Sequence, residues 1–173
     1  RDIDPRGQVP ISIIAMGKTG ARELNYVSDV DVLYVTRGQA GEEERDTLEI
    51  ATRLAAATAS ACSGPGNEAP LWTVDANLRP EGRNGALVRT IESYRRYWQE
   101  WAQAWEFQAL LKARACAGDD ELGRTFEEAA LRVERGETRG VRRGGARDAA
   151  ARRGQHLALP RLTGTQTRAR GIA

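Results

Sequence analysis

The sequence predicts a mixed domain of the α/β or α+β class. Short apolar runs rich in β-branched residues, which are typical of buried strands, alternate with longer stretches whose apolar residues recur at helical spacing. A chain of 173 residues is long enough for one domain with a sizeable core. It contains no run of about 18 apolar residues, which excludes a membrane-spanning helix. Its two cysteines are too few for a disulfide-stabilised scaffold.

The first half of the chain contains two predicted strands and a long predicted helix. Residues 10–16 (Pro-Ile-Ser-Ile-Ile-Ala-Met) form a buried-strand pattern, and residues 30–35 form a second one. Between them, residues 17–20 (Gly-Lys-Thr-Gly) end the first strand, and residues 21–25 are compatible with one or two helical turns. A helix is predicted from residue 42 to about residue 62. Three acidic residues in its first turn complement the helix dipole, and Ala, Leu and Ile residues line one face.

The second half begins with a third predicted strand over residues 71–78, which ends at an Arg-Pro pair and a Gly-rich loop. After Arg89 the pattern is helical and carries an aliphatic and aromatic stripe at alternating spacings of three and four. Such a stripe predicts the core side of a helix rather than a ligand site. A last helix is predicted after residues 118–120 and fades near residue 135. The stripe consists of Ile91, Tyr94, Trp98, Trp101 and Trp105.

The formal net charge of +2 conceals an uneven distribution along the chain. Residues 1–130 carry a net charge of −6, whereas residues 131–173 carry +8. In this second region Arg and Gly dominate without apolar periodicity, so we predict a domain over 1–130 and a basic tail over 131–173 that is disordered or frame-shifted. A nucleic-acid-binding tail is disfavoured because no aromatic residues are interleaved with the arginines. We therefore expect neither a nucleic-acid nor a membrane partner.

Other features of composition limit the chemistry and the setting. The chain begins at Arg1 rather than at a methionine, and we expect it to be a piece of a longer protein; no signal-peptide pattern is visible in it. Its only histidine, His156, lies in the basic tail, which argues against histidine catalysis and histidine metal sites. Cys62 and Cys116 lie in Ala-rich stretches, and we predict helical, buried and reduced thiols in a cytoplasmic protein.

Three aspartates on neighbouring predicted strands form the candidate catalytic site. Asp29 and Asp31 lie two residues apart at the start of the second strand, so the strand period places both carboxylates on one face. Asp75 lies in the third strand. Unpaired, such carboxylates raise one another's pKa, whereas Mg²⁺ takes one or two carboxylates together with substrate phosphates and water. Three acids on adjacent strands thus indicate metal-dependent phosphoryl or nucleotidyl transfer. The alternative for Asp29 and Asp31 is a solvated strand end.

The segments beside these acids suit phosphate binding. Gly17, Lys18 and Gly20 follow a strand and open a short helix, where backbone N–H groups and a lysine charge favour an anion. The spacing fits neither the P-loop nor the dinucleotide-binding motif. Arg79 is predicted to close the third strand and grip a phosphate, with a surface ion pair to Glu81 as the alternative.

Three blocks of sequence resemble bacterial glutamine synthetase adenylyltransferase, the bifunctional adenylyl-transferring and adenylyl-removing enzyme of nitrogen control. They occur in order and together span about residues 10–125. The first block is Ala-Met-Gly-Lys-Thr-Gly-Ala-Arg-Glu-Leu-Asn-Tyr-Val-Ser-Asp-Val-Asp at residues 15–31. The second is Val-Asp-Ala-Asn-Leu-Arg-Pro-Glu-Gly-Arg-Asn-Gly at 74–85, and the third is Trp-Glu-Phe-Gln-Ala-Leu-Leu-Lys-Ala-Arg at 105–114, followed by Ala-Gly-Asp at 117–119.

The resemblance implies a polymerase-β-like nucleotidyltransferase fold: a small mixed sheet with flanking helices, followed by a helical segment. It implies that Asp29, Asp31 and Asp75 are catalytic acids that bind Mg²⁺. The nucleotide phosphates would lie on a turn formed by Gly17, Lys18 and Gly20, with Arg79 as a further nucleotide-binding residue. The implied partners are glutamine synthetase, ATP or ADP, phosphate and a nitrogen-signalling regulatory protein.

Members of the family contain two copies of this domain, and the sequences of two segments favour the N-terminal, adenylyl-removing copy. These segments are residues 23–26 (Glu-Leu-Asn-Tyr) and 111–114 (Leu-Lys-Ala-Arg). That copy removes AMP from a tyrosine by phosphorolysis to give ADP, whereas the other copy moves AMP from ATP to the tyrosine. The sequence departs from the family pattern at Ala21, where a second glycine is usual, and beyond residues 130–140, where we expect a truncation or a reading-frame error.

Two alternatives to this function stay open. The chain resembles, in its acids alone, nucleotidyltransferases of other substrates such as tRNA or antibiotics. It is also compatible with an inactive fragment that only binds protein or nucleic acid. Within the third block, Glu106 and Arg114 lie eight residues apart, which predicts one helical face with an ion-pair role first and a phosphate contact second.

Overall fold

The structure, a computed structural model, describes residues 2–4, 7–26, 28–38, 42–63 and 72–136. All of them lie in the first of two units, residues 1–143, and the second unit, residues 144–173, contains none of them. From residue 137 onward the predicted tail lies outside the described residues, and its character stays a prediction. No helix within the described ranges is long and apolar enough to cross a membrane.

Strands and helices are interspersed along the described part of the chain. The strands are β1 (Ile11–Ala15), β2 (Val30–Thr36), β3 (Val74–Asp75), β4 (Val88–Thr90) and β5 (Arg114–Gly118). The helices are α1 (Gly17–Gly20), α2 (Glu42–Ser63), α3 (Ile91–Glu100), α4 (Ala104–Leu110) and α5 (Asp120–Glu134), with a short 3₁₀ helix at Gly82–Asn84. The mixed class predicted from the sequence is confirmed.

The five strands form one small mixed sheet in which β2 is central. β1 pairs antiparallel with β2 on one side and with β5 on the other. The opposite edge of β2 pairs in parallel with two short strands, β3 near its beginning and β4 near its end. The sheet order is therefore β3-β2-β1-β5, with β4 also on β2. This arrangement leaves the beginning of β2 and the end of β3 side by side.

Alternate residues of β2 face two different apolar clusters, as the strand period requires. Leu33 and Val35 belong to the larger cluster, which α3, α4 and α5 cover. Val32 and Tyr34 belong to the smaller one, which contains Ala51 and Ala55 of α2. A strand covered on both faces has a nearly continuous apolar sequence. Residues 30–35 were therefore recognisable as a strand from the sequence.

The predicted aromatic stripe is confirmed only in its first half. Tyr94 and Trp98 of α3 are buried and pack against Phe126 of α5, with ring centroids 5.2 Å and 5.4 Å from the Phe126 ring. Trp101 and Trp105, in contrast, are 69% and 54% exposed. The reason is a break after residue 100. α3 ends there and α4 begins anew, so the helical period does not continue.

Two other predicted elements are shorter than expected. The helical turns predicted at residues 21–25 are absent, because α1 already occupies residues 17–20 and Arg22 turns the chain with a φ of 62°. The strand predicted over 71–78 is reduced to Val74–Asp75. Its continuation is a turn in which the Asp75 carboxylate accepts a hydrogen bond from the Asn77 amide. Leu71 lies outside the described residues.

β4 and β5 were not predicted, and β5 corrects the expectation for Cys116. The Ala-rich segment around this cysteine pairs with β1 as an edge strand rather than forming a helix, since tertiary pairing outweighs the helix propensity of alanine. The Cys116 side chain is exposed, and Cys62, which does lie in a helix, is only half-buried. Both thiols are free, but neither is buried as predicted.

Candidate active site

The three predicted acids lie where β2 begins and β3 ends. Asp29 immediately precedes β2 and is exposed, while Asp31 is the second residue of that strand and is half-buried. Asp75 ends β3 and is half-buried as well. In the parallel pairing of the two strands, Asp31 and Asp75 are register partners. Register partners in a parallel pair direct their side chains to the same face, so the two carboxylates lie side by side.

The pKa of Asp31 is affected by the neighbouring charged groups. Burial raises the pKa of Asp31, and the charges of Asp75 and then Asp29 raise it further. The ammonium group of Lys18 acts in the opposite direction and lowers the pKa of Asp31. Negative charge is thus concentrated at this edge of the sheet with the Lys18 ammonium group nearby, and a cationic ligand would offset the repulsion.

The turn after β1 lies directly against these acids. The Met16 amide donates to the Asp31 carbonyl oxygen at 2.9 Å. Gly17 has a φ of +51°, and a Cβ atom at this position would lie 2.9 Å from Oδ2 of Asp31. The glycine therefore permits both the left-handed backbone and the close approach to the carboxylate. The side chain of Lys18 is exposed beside them.

Gly20, the last residue of the turn, is buried against a different part of the chain. A Cβ atom there would lie 1.9 Å from the Lys112 carbonyl oxygen and 2.7 Å from that of Ala15. Only glycine fits between two backbone segments at this separation. The sequence singled out Gly20 as a phosphate-binding residue, and the structure also gives it this packing role.

Arg79 does not close a strand, because β3 ends at Asp75 and Arg79 lies in the following loop. Its guanidinium donates to three backbone carbonyl groups, those of Ala76 at 2.8 Å, Gly85 at 3.0 Å and Arg83 at 3.2 Å. The alternative of an ion pair with Glu81 is also not what the structure shows. Glu81 pairs instead with Arg89 at 2.9 Å. Arg79 thus shapes the loop that follows the acids.

Glu106 and Arg114 do not share a helical face, contrary to the prediction. α4 ends at Leu110, and Arg114 is the first residue of β5. Glu106 is buried and accepts hydrogen bonds from the Tyr97 hydroxyl at 2.8 Å and the Gln103 amide at 2.7 Å. Arg114 donates to carbonyl groups of the Gly17–Gly20 turn. Sequence spacing alone missed this contact, because it depends on the pairing of β5 with β1.

The donor chemistry of the acids suits a magnesium ion that is completed by substrate. Among the described residues, no group of three or more acidic, histidine or cysteine side chains is arranged to enclose a metal by itself. Asp31 and Asp75 supply carboxylate oxygens on one face, and the Asn77 amide fixes Oδ1 of Asp75 at 2.6 Å. Mg²⁺ takes one or two carboxylates together with phosphate oxygens and water, so this pair fits the ion.

Comparison with known proteins shows a family match over most of the chain. The family described as glutamate-ammonia ligase adenylyltransferase matches residues 2–129. The relatives of this chain include proteins named bifunctional glutamine synthetase adenylyltransferase/adenylyl-removing enzyme. The one from Leifsonia xyli subsp. xyli is 60% identical over 117 residues, or 66% of this chain. Those from Streptomyces avermitilis and Cutibacterium acnes are 55% and 51% identical over 67% and 73% of the chain.

The matched region is a small part of these larger proteins. The alignments cover 12% of the Leifsonia and Streptomyces relatives and 13% of the Cutibacterium relative. The family match nevertheless includes the turn, all three acids and the β5 arginine, which all fall within residues 2–129. The chain therefore belongs to the glutamate-ammonia ligase adenylyltransferase family.

Proposed function

We propose that this domain catalyses nucleotidyl transfer at a tyrosine of glutamine synthetase, with Mg²⁺ as cofactor. The observation that carries the proposal is the pairing of Asp31 with Asp75 beside the Gly17–Gly20 turn. Two carboxylates next to a glycine turn and a lysine form a site suited to a metal-bound nucleotide. The names of the relatives supply the protein substrate, glutamine synthetase.

The proposed reaction is an in-line displacement at the α-phosphorus of an adenylyl group. In removal, an oxygen of inorganic phosphate forms a bond to phosphorus while the bond to the tyrosine oxygen breaks, so that ADP leaves and tyrosine is restored. In transfer, the tyrosine oxygen attacks ATP and pyrophosphate leaves. Mg²⁺, when bound, supplies positive charge that offsets the charge developing on the phosphate oxygens. The segments Glu23–Tyr26 and Leu111–Arg114 favour removal as the main direction.

Each residue of the site has its own proposed role. Asp31 and Asp75 would hold the metal, Asp29 would contribute from the exposed rim, and Asp75 would assist deprotonation of the attacking group. Lys18 acts in two ways, since its charge lowers the pKa of Asp31 and attracts phosphate oxygens. Backbone amides of the turn complete the phosphate contacts, and Arg79 keeps the loop after Asp75 in place. In the cytoplasm, a nitrogen-signalling regulatory protein would set the direction.

The decisive experiment supplies the 173-residue chain with both substrates. Adenylylated glutamine synthetase with Mg²⁺ and phosphate should release ADP, and unmodified glutamine synthetase with Mg²⁺-ATP reports the opposite direction. Asp31→Asn should abolish turnover, because the amide cannot replace a charged metal ligand. Asp46→Asn, which changes an exposed carboxylate on α2, is the matched control and should retain wild-type turnover.

A binding measurement separates the proposal from its alternatives. Titration with Mg²⁺-ATP or Mg²⁺-ADP should change the fluorescence of Trp72, which is half-exposed and lies just before β3. Binding without reaction on glutamine synthetase would favour a nucleotidyltransferase of another substrate. No binding of either nucleotide would identify the chain as an inactive fragment and would refute the proposal.

A further inference from the structure

We propose that Arg114 is a positioning residue that fixes the Gly17–Gly20 turn in the conformation that receives the nucleotide phosphates. The inference rests on the proposed function for the meaning of the turn, but the contacts that carry it are independent of that function. They join β5, at one edge of the sheet, to the turn that follows β1. Neither the sequence pattern nor the names of the relatives assign this role to the arginine.

The guanidinium of Arg114 holds two successive carbonyl groups of the turn. Nε donates to the Gly20 carbonyl at 3.1 Å, and Nη2 donates to the Thr19 carbonyl at 3.2 Å. A helix leaves its last carbonyl groups without helical partners, and α1 is only one turn long. A cation at this end also opposes the partial negative charge of the carbonyl groups. Arg114 therefore gives the Gly20 carbonyl a partner and adds a second donor to the Thr19 carbonyl, which also accepts from the Arg22 amide at 3.2 Å.

The backbone around Arg114 supports the same contact. Ala15, the residue two before the turn, is the register partner of Arg114 in the β1–β5 pairing. The Lys112 carbonyl oxygen lies so close to Gly20 that a Cβ atom there would approach it to 1.9 Å. The Lys112 side chain forms an exposed ion pair with Glu23 at 3.0 Å. The segment of residues 112–114 and the turn thus form one packed unit.

Arg114 acts through the turn rather than on the nucleotide. Nη1 is directed to the Ala115 carbonyl at 3.5 Å, so each of the three guanidinium nitrogens faces a backbone oxygen. β1 separates β5 from β2, the strand that carries Asp31. The planar guanidinium of arginine can donate to two adjacent carbonyl groups at once. The ammonium group of lysine lacks this fixed geometry and should bind the two carbonyl groups more weakly. The geometry therefore predicts a graded response to substitution.

The test compares Arg114→Met and Arg114→Lys in the 173-residue chain, with Arg124→Met as the matched control. Arg124 is an exposed arginine on α5. We expect Arg114→Met to weaken Mg²⁺-ATP binding about tenfold, because two charge-assisted hydrogen bonds are lost. Binding of adenosine, which lacks phosphates, should not change. Arg114→Lys should lie between Arg114→Met and the wild type, and Arg124→Met should match the wild type.

Hydrogen exchange of the turn gives a readout that does not require nucleotide. The Gly20 and Ala21 amides donate to Met16 and Gly17 at 2.8 Å and 3.1 Å, and we expect both to exchange faster in Arg114→Met. Wild-type exchange rates in both Arg114 variants would overturn the inference. So would an equal loss of ATP and adenosine binding in a variant that remains folded, because the effect would then not be specific to the phosphates. If Arg114→Met does not fold, Arg114→Lys is tested by the same two measurements, hydrogen exchange and the comparison of ATP with adenosine binding.

A wild-type chain that binds no Mg²⁺-ATP would instead refute the proposed function. Hydrogen exchange alone would then show whether Arg114 holds the turn.

Discussion

Asp31 and Asp75 occupy matching positions on the parallel strands β2 and β3. Burial raises the pKa of Asp31, and the charge of Asp75 is the next largest cause of that rise. We therefore expect Asp75→Asn to lower the pKa of Asp31 towards its ordinary value. The amide oxygen can still accept the hydrogen bond from Asn77, so the loop should persist. Carbon NMR titration of the Asp31 carboxyl group measures the shift, and an unchanged pKa would contradict the proximity of the two acids.

Removing the charge of Asp31 should stabilise the fold at neutral pH while it abolishes turnover. A carboxyl group whose pKa is raised in the folded state favours folding when protonated, and this contribution is lost as the pH rises through the raised pKa. Asp31→Asn should therefore melt at a higher temperature than the wild type at pH 7. The difference should vanish below the ordinary pKa of 3.8, where both side chains are neutral. A melting series from pH 3.5 to about pH 7.5 checks this sign, and Asp46→Asn controls for net charge.

Gly20→Ala should destabilise the chain more than Gly38→Ala, because the nearest neighbours of Gly20 are backbone atoms and that of Gly38 is the end of a flexible side chain. The new methyl group would meet the backbone oxygens of Lys112 and Ala15, which cannot move without shifting two strands or their ends. We expect a loss of about 1–3 kcal/mol in the free energy of unfolding. Gly38→Ala is the control, because its nearest neighbour is the flexible end of Glu92 at 3.0 Å. Equal urea denaturation midpoints for the two variants would refute the close packing of the turn.

Phe126, the one aromatic residue of α5, is expected to be a sensitive core position. Its ring is fully buried and packs edge to face against Tyr94 and Trp98. Phe126→Ala should lower the free energy of unfolding by about 3–5 kcal/mol, because it removes apolar contacts and leaves a cavity. Leu131→Ala on the same helix removes a side chain that is 49% exposed and should cost far less. Chemical denaturation followed by tryptophan fluorescence distinguishes the two.

Glu106 should control the titration of Tyr97. Burial, followed by the hydrogen bond to Glu106, raises the pKa of Tyr97 to about 12. Replacing the carboxylate by an amide in Glu106→Gln removes a charge that opposes tyrosinate formation, so the pKa should fall. Ultraviolet difference titration against Tyr97→Phe isolates this residue from the other tyrosines. A Tyr97 pKa that does not change in Glu106→Gln would show that the charge of Glu106 does not affect Tyr97.

Several features could be predicted from local sequence because they depend on local physics. The cores of β1 and β2 are apolar β-branched runs, and α2 repeats small apolar residues at helical spacing, so both patterns were recognisable. The predictions were wrong where tertiary contacts outweigh propensity. The Ala-rich residues of β5 favour a helix in isolation, and the pairing with β1 makes them a strand. The aromatic stripe failed at Trp101 because a helix end interrupts the period.

The sequence by itself determined the family, and it predicted the candidate acids and the glycine turn. The tertiary structure decided which of these groups meet. Asp31 pairs with Asp75, which lies 44 positions after it in the chain, and Arg114 reaches carbonyl groups that lie 94 and 95 positions before it. Strand pairing and register depend on the whole sheet, whereas propensity and periodicity extend over only a few residues. Contacts between distant segments are therefore properties of the fold and not of any one stretch of sequence.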